Sequence, residues 1–121
     1  MQLTGFYIIT KTLGIEPTCA YAIKTPVNPR NPSGKIRQES SWILESGLDE
    51  SEPLKLHISE LLLLIESKVE RFKELMSVCD IEIFCGFSSE NGQGGFVLDA
   101  ALLKRIGLIP LDLVLDLYPS S

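Results

Sequence analysis

The chain has 121 residues, 45% of them hydrophobic and 22% charged, and a formal net charge of −5. A sequence this apolar does not stay disordered, and at this length it buries roughly two-thirds of its unfolded surface, so one α+β domain over residues 1–121 is expected. The acidic balance repels phosphate at long range, which makes nucleic acid an unfavourable partner and a basic protein a favourable one.

The longest apolar runs, such as Leu61–Ile65, fall far short of the roughly 20 residues that a bilayer requires, so no membrane association is expected. The start carries no basic stretch followed by an apolar segment and a cleavage site, so a cytoplasmic location is expected. Cys19, Cys79 and Cys85 lack paired spacing, and only one histidine accompanies them. Reduced thiols in apolar surroundings are therefore expected, with no metal centre and no cofactor.

In chain order, MQLTGFYIITKTLGIEPT reads as a very short strand and then a short helix, with Gly14 as a left-handed cap and Pro17 preventing resumption. CAYAIKT reads as a strand. The following PVNPRNPSGK must be a loop, because its prolines cannot donate to a sheet ladder. Lys24, Arg30, Lys35 and Arg37 lie in a segment without acids, while Glu39, Glu45, Asp49, Glu50 and Glu52 follow without bases. The basic segment is a solvated loop or an anion-binding one.

SSWILES has the alternation of a strand with one face inward. GLDESEP then supplies a turn and a helix start, with Ser51 or Asp49 as N-cap and Pro53 in the first turn. From Leu54 to Met76, apolar residues at Leu54, Ile58, Leu61, Ile65, Phe72 and Leu75 or Met76, widened by Leu62 and Val69, predict one long helix packed along one face. Leu63 and Leu64 exceed what that stripe needs. They imply a helix covered on two sides, the favoured reading, or a contact surface.

IEIFCGF predicts a strand with Ile81, Ile83, Cys85 and Phe87 inward, joined through SSENGQGG to a strand at FVL as a hairpin-like unit. A nucleotide loop at GQGG is not supported, since no helix follows it directly. Asp99 caps a short helix that Gly107 ends, and LIPLDLVLDLYP alternates as a final strand.

Reactive constellations are sparse. Asp112 and Asp116 would stand about 13 Å apart along a strand, too far for paired-carboxylate chemistry. Cys85 faces inward, where a thiol is a poor nucleophile for His57 to activate. His57 itself fits a hydrogen-bonded tie between the helix and the preceding strand or loop. Trp42 fits a core edge or an interface anchor.

With these residues placed, the chain resembles a bacterial family known as domain of unknown function 4279. The resemblance rests on LGIEPT at Leu13–Thr18, the run from Trp42 to Glu66, and LDLVLDLY at Leu111–Tyr118. It implies a small α+β domain with no established catalytic residues.

The expected architecture is a mainly antiparallel sheet of four to six strands, with one long helix and two short helices packed on one face. By analogy of size and charge with the immunity proteins that neutralise bacterial toxins, the expected function is that of a small acidic, non-enzymatic binding protein. Trp42, Glu45, Asp49, Glu50, Glu52 and His57 would meet a basic toxin domain. The alternative is an uncharacterised enzyme or anion-binding domain using His57 and the basic loop, with Arg30, Lys35 and Arg37 on the anion. An exposed sheet edge also allows a homodimer.

Overall fold

The computed structural model describes residues 2–89 and 96–119. The chain forms two compact units, Met1–Glu45 and Ser46–Ser121.

The first unit contains helix α1 (Gln2–Leu13) and strands β1 (Cys19–Tyr21) and β2 (Ser41–Ile43). No strand precedes the helix, contrary to expectation: it begins at Gln2 and runs unbroken to Leu13. It stops at Gly14, whose φ of 70° suits a residue without Cβ, and whose N–H donates to the Thr10 carbonyl at 2.8 Å. The strands pair antiparallel with Ala20 opposite Trp42. Both are shorter than their sequence patterns because the chain leaves the ladder for a long excursion between them.

That excursion is more ordered than a plain loop. Pro26 bridges Ile36 antiparallel, with Val27 N–H on the Lys35 carbonyl and Arg37 N–H on the Thr25 carbonyl, both at 2.9 Å. Pro26 thus sits where the ladder asks it for no donor, which is why proline is tolerated.

The second unit contains α2 (Leu54–Ile65), a 3₁₀ turn (Glu66–Lys68), α3 (Val69–Leu75), β3 (Glu82–Ser89), α4 (Ala100–Gly107) and β4 (Asp112–Pro119). The single long helix is therefore broken once. Three residues wound at 3.0 per turn advance the apolar stripe by about 60° relative to 3.6 per turn. That shift turns Leu75 toward the axis set by Ile58, Leu62 and Ile65 and moves Met76 off it. Leu75 is accordingly buried and Met76 exposed. At the other end neither Ser51 nor Asp49 is the N-cap. Pro53 holds that place in an extended conformation, without a side-chain bond, because Asp49 is spent on a turn with Ser51.

The expected mainly antiparallel sheet of four to six strands does not form. Among the described residues there are two sheets of two strands, β1–β2 antiparallel and β3–β4 parallel. The FVL segment is not a strand, and the tip of the expected hairpin, residues 90–95, lies outside the described residues. β3 pairs instead with β4, from Glu82–Asp112 through Ser89–Pro119. Alternation in sequence fixes which face a residue takes but not the partner or its direction. Here α4 lies between the two strands, and a helical crossover returns the chain parallel.

The core of this unit draws Ile58, Leu62 and Ile65 from α2, Phe72 and Leu75 from α3, Ile83 and Cys85 from β3, and Leu102 and Ile106 from α4. Asp99 caps α4 as expected, accepting from Leu102 N–H at 2.9 Å. Its carboxylate also pairs with Lys55 at the start of α2. At the other end, Arg105 forms a two-pronged pair with Glu66, Nε and Nη2 each 3.0 Å from a carboxylate oxygen. Start meets start and end meets end, so α2 and α4 run side by side in the same direction.

Leu62 is 0% exposed and its neighbour Leu63 is 63% exposed. Leu62→Ala should cost about 2–5 kcal/mol, and Leu63→Ala within about 0.5 kcal/mol, in urea unfolding. Equal losses would refute this assignment of faces. The Arg105 hydrogen bonds hold the Glu66 carboxyl below the usual carboxylate range, and Lys55 does the same for Asp99. A folded-state value depressed below the unfolded one gives stability that is present at neutral pH and lost as pH falls through the folded value. Glu66→Gln should therefore lower the melting temperature at neutral pH, and the gap to the parent should narrow as pH falls below the usual glutamate value and close once the carboxyl is protonated in both states. A gap independent of pH would contradict the pairing.

Candidate functional site

The most structured polar feature of the second unit is the loop that leads into α2. Gly47 takes the left-handed backbone, at φ 80°, after Ser46, and the chain bends at Leu48. Leu48 N–H then donates to Ser46 Oγ at 3.3 Å, and the same oxygen lies 2.6 Å from Nδ1 of His57, in the first turn of α2. With one lone pair taken by Leu48, the hydroxyl can still donate to a neutral imidazole or accept from its Nδ1–H. Next along the chain, the Asp49 carboxylate accepts from Ser51 N–H at 3.0 Å and from its hydroxyl, and Glu52 N–H donates to the Asp49 carbonyl at 3.0 Å. Those Ser51 bonds, the hydroxyl's first, hold Asp49 below the usual carboxylate range, with a small contribution from His57.

Glu50 and Glu52 point outward from this turn and are exposed. Neither forms an ion pair among the described residues. The loop is thus fixed by its own hydrogen bonds, while its two free carboxylates face solvent. His57 is half-buried and its Nδ1 is engaged, which matches the tie expected of it.

The other singled-out residues belong to the first unit. Trp42 on β2 is half-buried, and its Nε1–H donates to Thr10 Oγ1 of α1 at 3.0 Å, so the indole's one polar atom is satisfied internally. Glu45 is exposed, with its N–H on Thr18 Oγ1 at 2.8 Å. Arg30 and Lys35 are exposed on the proline-rich excursion; Arg30 N–H donates to Asn28 Oδ1 at 3.0 Å. Arg37 stacks its guanidinium 3.7 Å from the Tyr21 ring centre, a cation–π contact that orients it. An open, largely apolar groove of about 590 Å³ lies between α1 and the Gly14–Ala20 segment.

The thiol reading fares poorly on this geometry. Cys85 is 4% exposed and burial pushes its thiol up. Burial does the same for Cys79, helped by the charge of Asp80, and its Sγ leans on the Leu75 carbonyl at 3.4 Å. A thiol raised in this way is a weak nucleophile at neutral pH. Among the described residues no three His, Cys, Asp or Glu side chains gather as they would around a metal ion. No helix among them is long and apolar enough to cross a membrane.

Sequence reasoning missed Ser46 as the partner of His57, Thr10 as that of Trp42 and Tyr21 as that of Arg37. Each is an ordinary residue, and tertiary proximity alone gives it a role. Only Gly47, a turn residue after a serine, carried a local hint for the first pair.

His57→Ala should cost about 1 kcal/mol through the lost Ser46 bond, and His57→Gln, which keeps an acceptor and a donor, should recover part of it. Amide exchange at residues 46–52 should quicken in the alanine variant and less so in the glutamine one. Unchanged exchange in both would show that the histidine does not hold the loop.

A family model described as domain of unknown function (DUF4279) matches residues 5–120. Neither a curated protein nor a solved structure matches the chain.

Proposed function

The chain belongs to the DUF4279 family, and from that premise we propose that it is a non-enzymatic binding protein that docks a basic protein domain. The observation that carries this reading is the outward face of α2. Leu56 and Leu63, two turns apart, are 46% and 63% exposed, with Leu64 beside them at 45%. Leu63 and Leu64 are the leucines in excess of the core stripe, and among the described residues they lack the second cover expected for them. Leu56 stands in the first turn after the braced loop that projects Glu50 and Glu52, and Leu63 and Leu64 extend the apolar face to the last turn of α2. An exposed apolar face with acidic side chains at one end has the composition of a protein contact.

The partner that fits is a domain with an apolar patch rimmed by Lys and Arg. Electrostatic attraction would speed its approach, and the leucines would set its residence time. Asp49 and His57 position the loop, and Glu50 and Glu52 meet the partner; Glu45 and Trp42 belong to the first unit, where Trp42 braces α1. An inhibitor of a bacterial toxin, working in the cytoplasm, is the instance that small size and acidity support, by analogy with immunity proteins. Three free cysteines agree with a reducing compartment.

The test takes as probes the basic protein domains encoded by the genes that flank this one in its host. The parent chain should bind one of them and relieve its toxicity on co-expression. Glu50→Lys with Glu52→Lys should slow association about tenfold or more at low salt, with the difference fading as salt rises; Leu63→Ser should instead speed dissociation. A parent chain that neither binds nor neutralises such a domain would defeat the proposal.

A further inference from the structure

β3 and β4 form a sheet of only two strands, so each has one edge without a neighbour among the described residues. The two edges are not alike. β4 carries Asp112 and Asp116 on one face and ends in Pro119, the charges and proline with which proteins discourage strand addition. β3 carries a single charge, Glu82 at its start, and no proline. In its midst Phe84 is 54% exposed, on the face opposite buried Ile83 and Cys85. Among the described residues one edge is guarded and the other is open.

We propose that β3 pairs antiparallel with β3 of a second copy of this chain, about a two-fold axis at Phe84, joining the two-stranded sheets into one of four strands. The occupant follows from the strand's self-complementarity. A two-fold axis at residue 84 sets Phe84 against its own counterpart, an aromatic cross-strand pair. It sets Ile83 opposite Cys85, so the apolar faces continue across the junction. Glu82 falls opposite Gly86, so no carboxylate meets another. The same operation about Val114 of β4 would set Asp112 against Asp116 twice. A parallel ladder of two strands is marginal by itself, and two added strands supply the lateral support it lacks.

Salt separates this contact from the docking surface on α2. Each copy carries a net charge of −5, so copies repel at long range and added salt should strengthen their pairing. The contact is independent of the binding role proposed above, and either can fail alone.

Sedimentation of the full chain across a range of concentration and salt tests it. A reversible dimer, tighter at high salt, is expected; a monomer under all conditions overturns the proposal. Phe84→Lys and Phe84→Glu should each be monomeric, because like charges then face each other, and an equimolar mixture of the two should form a heterodimer. A dimer indifferent to charge at residue 84, or a mixture that stays monomeric, overturns it. For the unmodified chain, amide exchange at Glu82–Gly86 should slow as protein concentration rises. Exchange independent of concentration counts against the proposal even if the variants do not fold.

Discussion

The β3–α4–β4 crossover stands only if α4 is held along α2, because a two-stranded ladder and an eight-residue helix are each marginal alone. Burial of Leu102 and Ile106 supplies the attraction, through the same water exclusion that holds Ile58, Leu62 and Ile65. Exposed ion pairs add little energy one by one. What Lys55–Asp99 and Glu66–Arg105 add is direction and register: they tie both ends of one helix to both ends of the other, which favours this placement of α4 over a shifted or reversed one. With α4 placed, the chain leaving it at Leu108 comes back beside β3 in the parallel sense, and the ladder follows.

Much of this was legible from spacing. The apolar stripe from Leu54 onward, the inward set of Ile83 and Cys85, the Asp99 cap and the left-handed Gly14 are local patterns, and local patterns survive folding. Strand partners are not local. The alternation in IEIFCGF and in LDLVLDLY gives each strand its faces, yet nothing in either says that they pair with each other, or that FVL pairs with neither. The break at Glu66–Lys68 was equally silent, for a 3₁₀ turn costs only a small change in winding and leaves the apolar spacing nearly intact. Its mark on the sequence is the ambiguity between Leu75 and Met76, which the stripe alone could not resolve.

The candidate site divides along the same line. Its exposed members, Glu50 and Glu52, were visible as an acidic run, and His57 as a tie because a lone histidine early in an amphipathic helix has few other uses. What made the loop a fixed display was Ser46, eleven residues before His57 and indistinguishable in sequence from the chain's other serines. The same holds for Thr10 beneath Trp42. A residue type reports what a side chain can do, and only the fold decides whether a partner is close enough for it to be done.

Net charge proved a coarse guide for a related reason. In the first unit, five basic residues outnumber three acidic ones, whereas the second holds thirteen acidic against six basic. A partner senses charges within about one Debye length, roughly 8 Å at physiological salt, and so meets the local balance before the total. The chain's acidity belongs to the second unit. There it accompanies both the leucines exposed on α2 and the open edge of β3, and it acts on the two in opposite senses. Toward a basic domain it adds attraction that salt weakens; toward another copy it adds repulsion that salt relieves. One charge distribution would thus favour docking of a basic partner, as proposed, while keeping the proposed self-pairing weak at low salt.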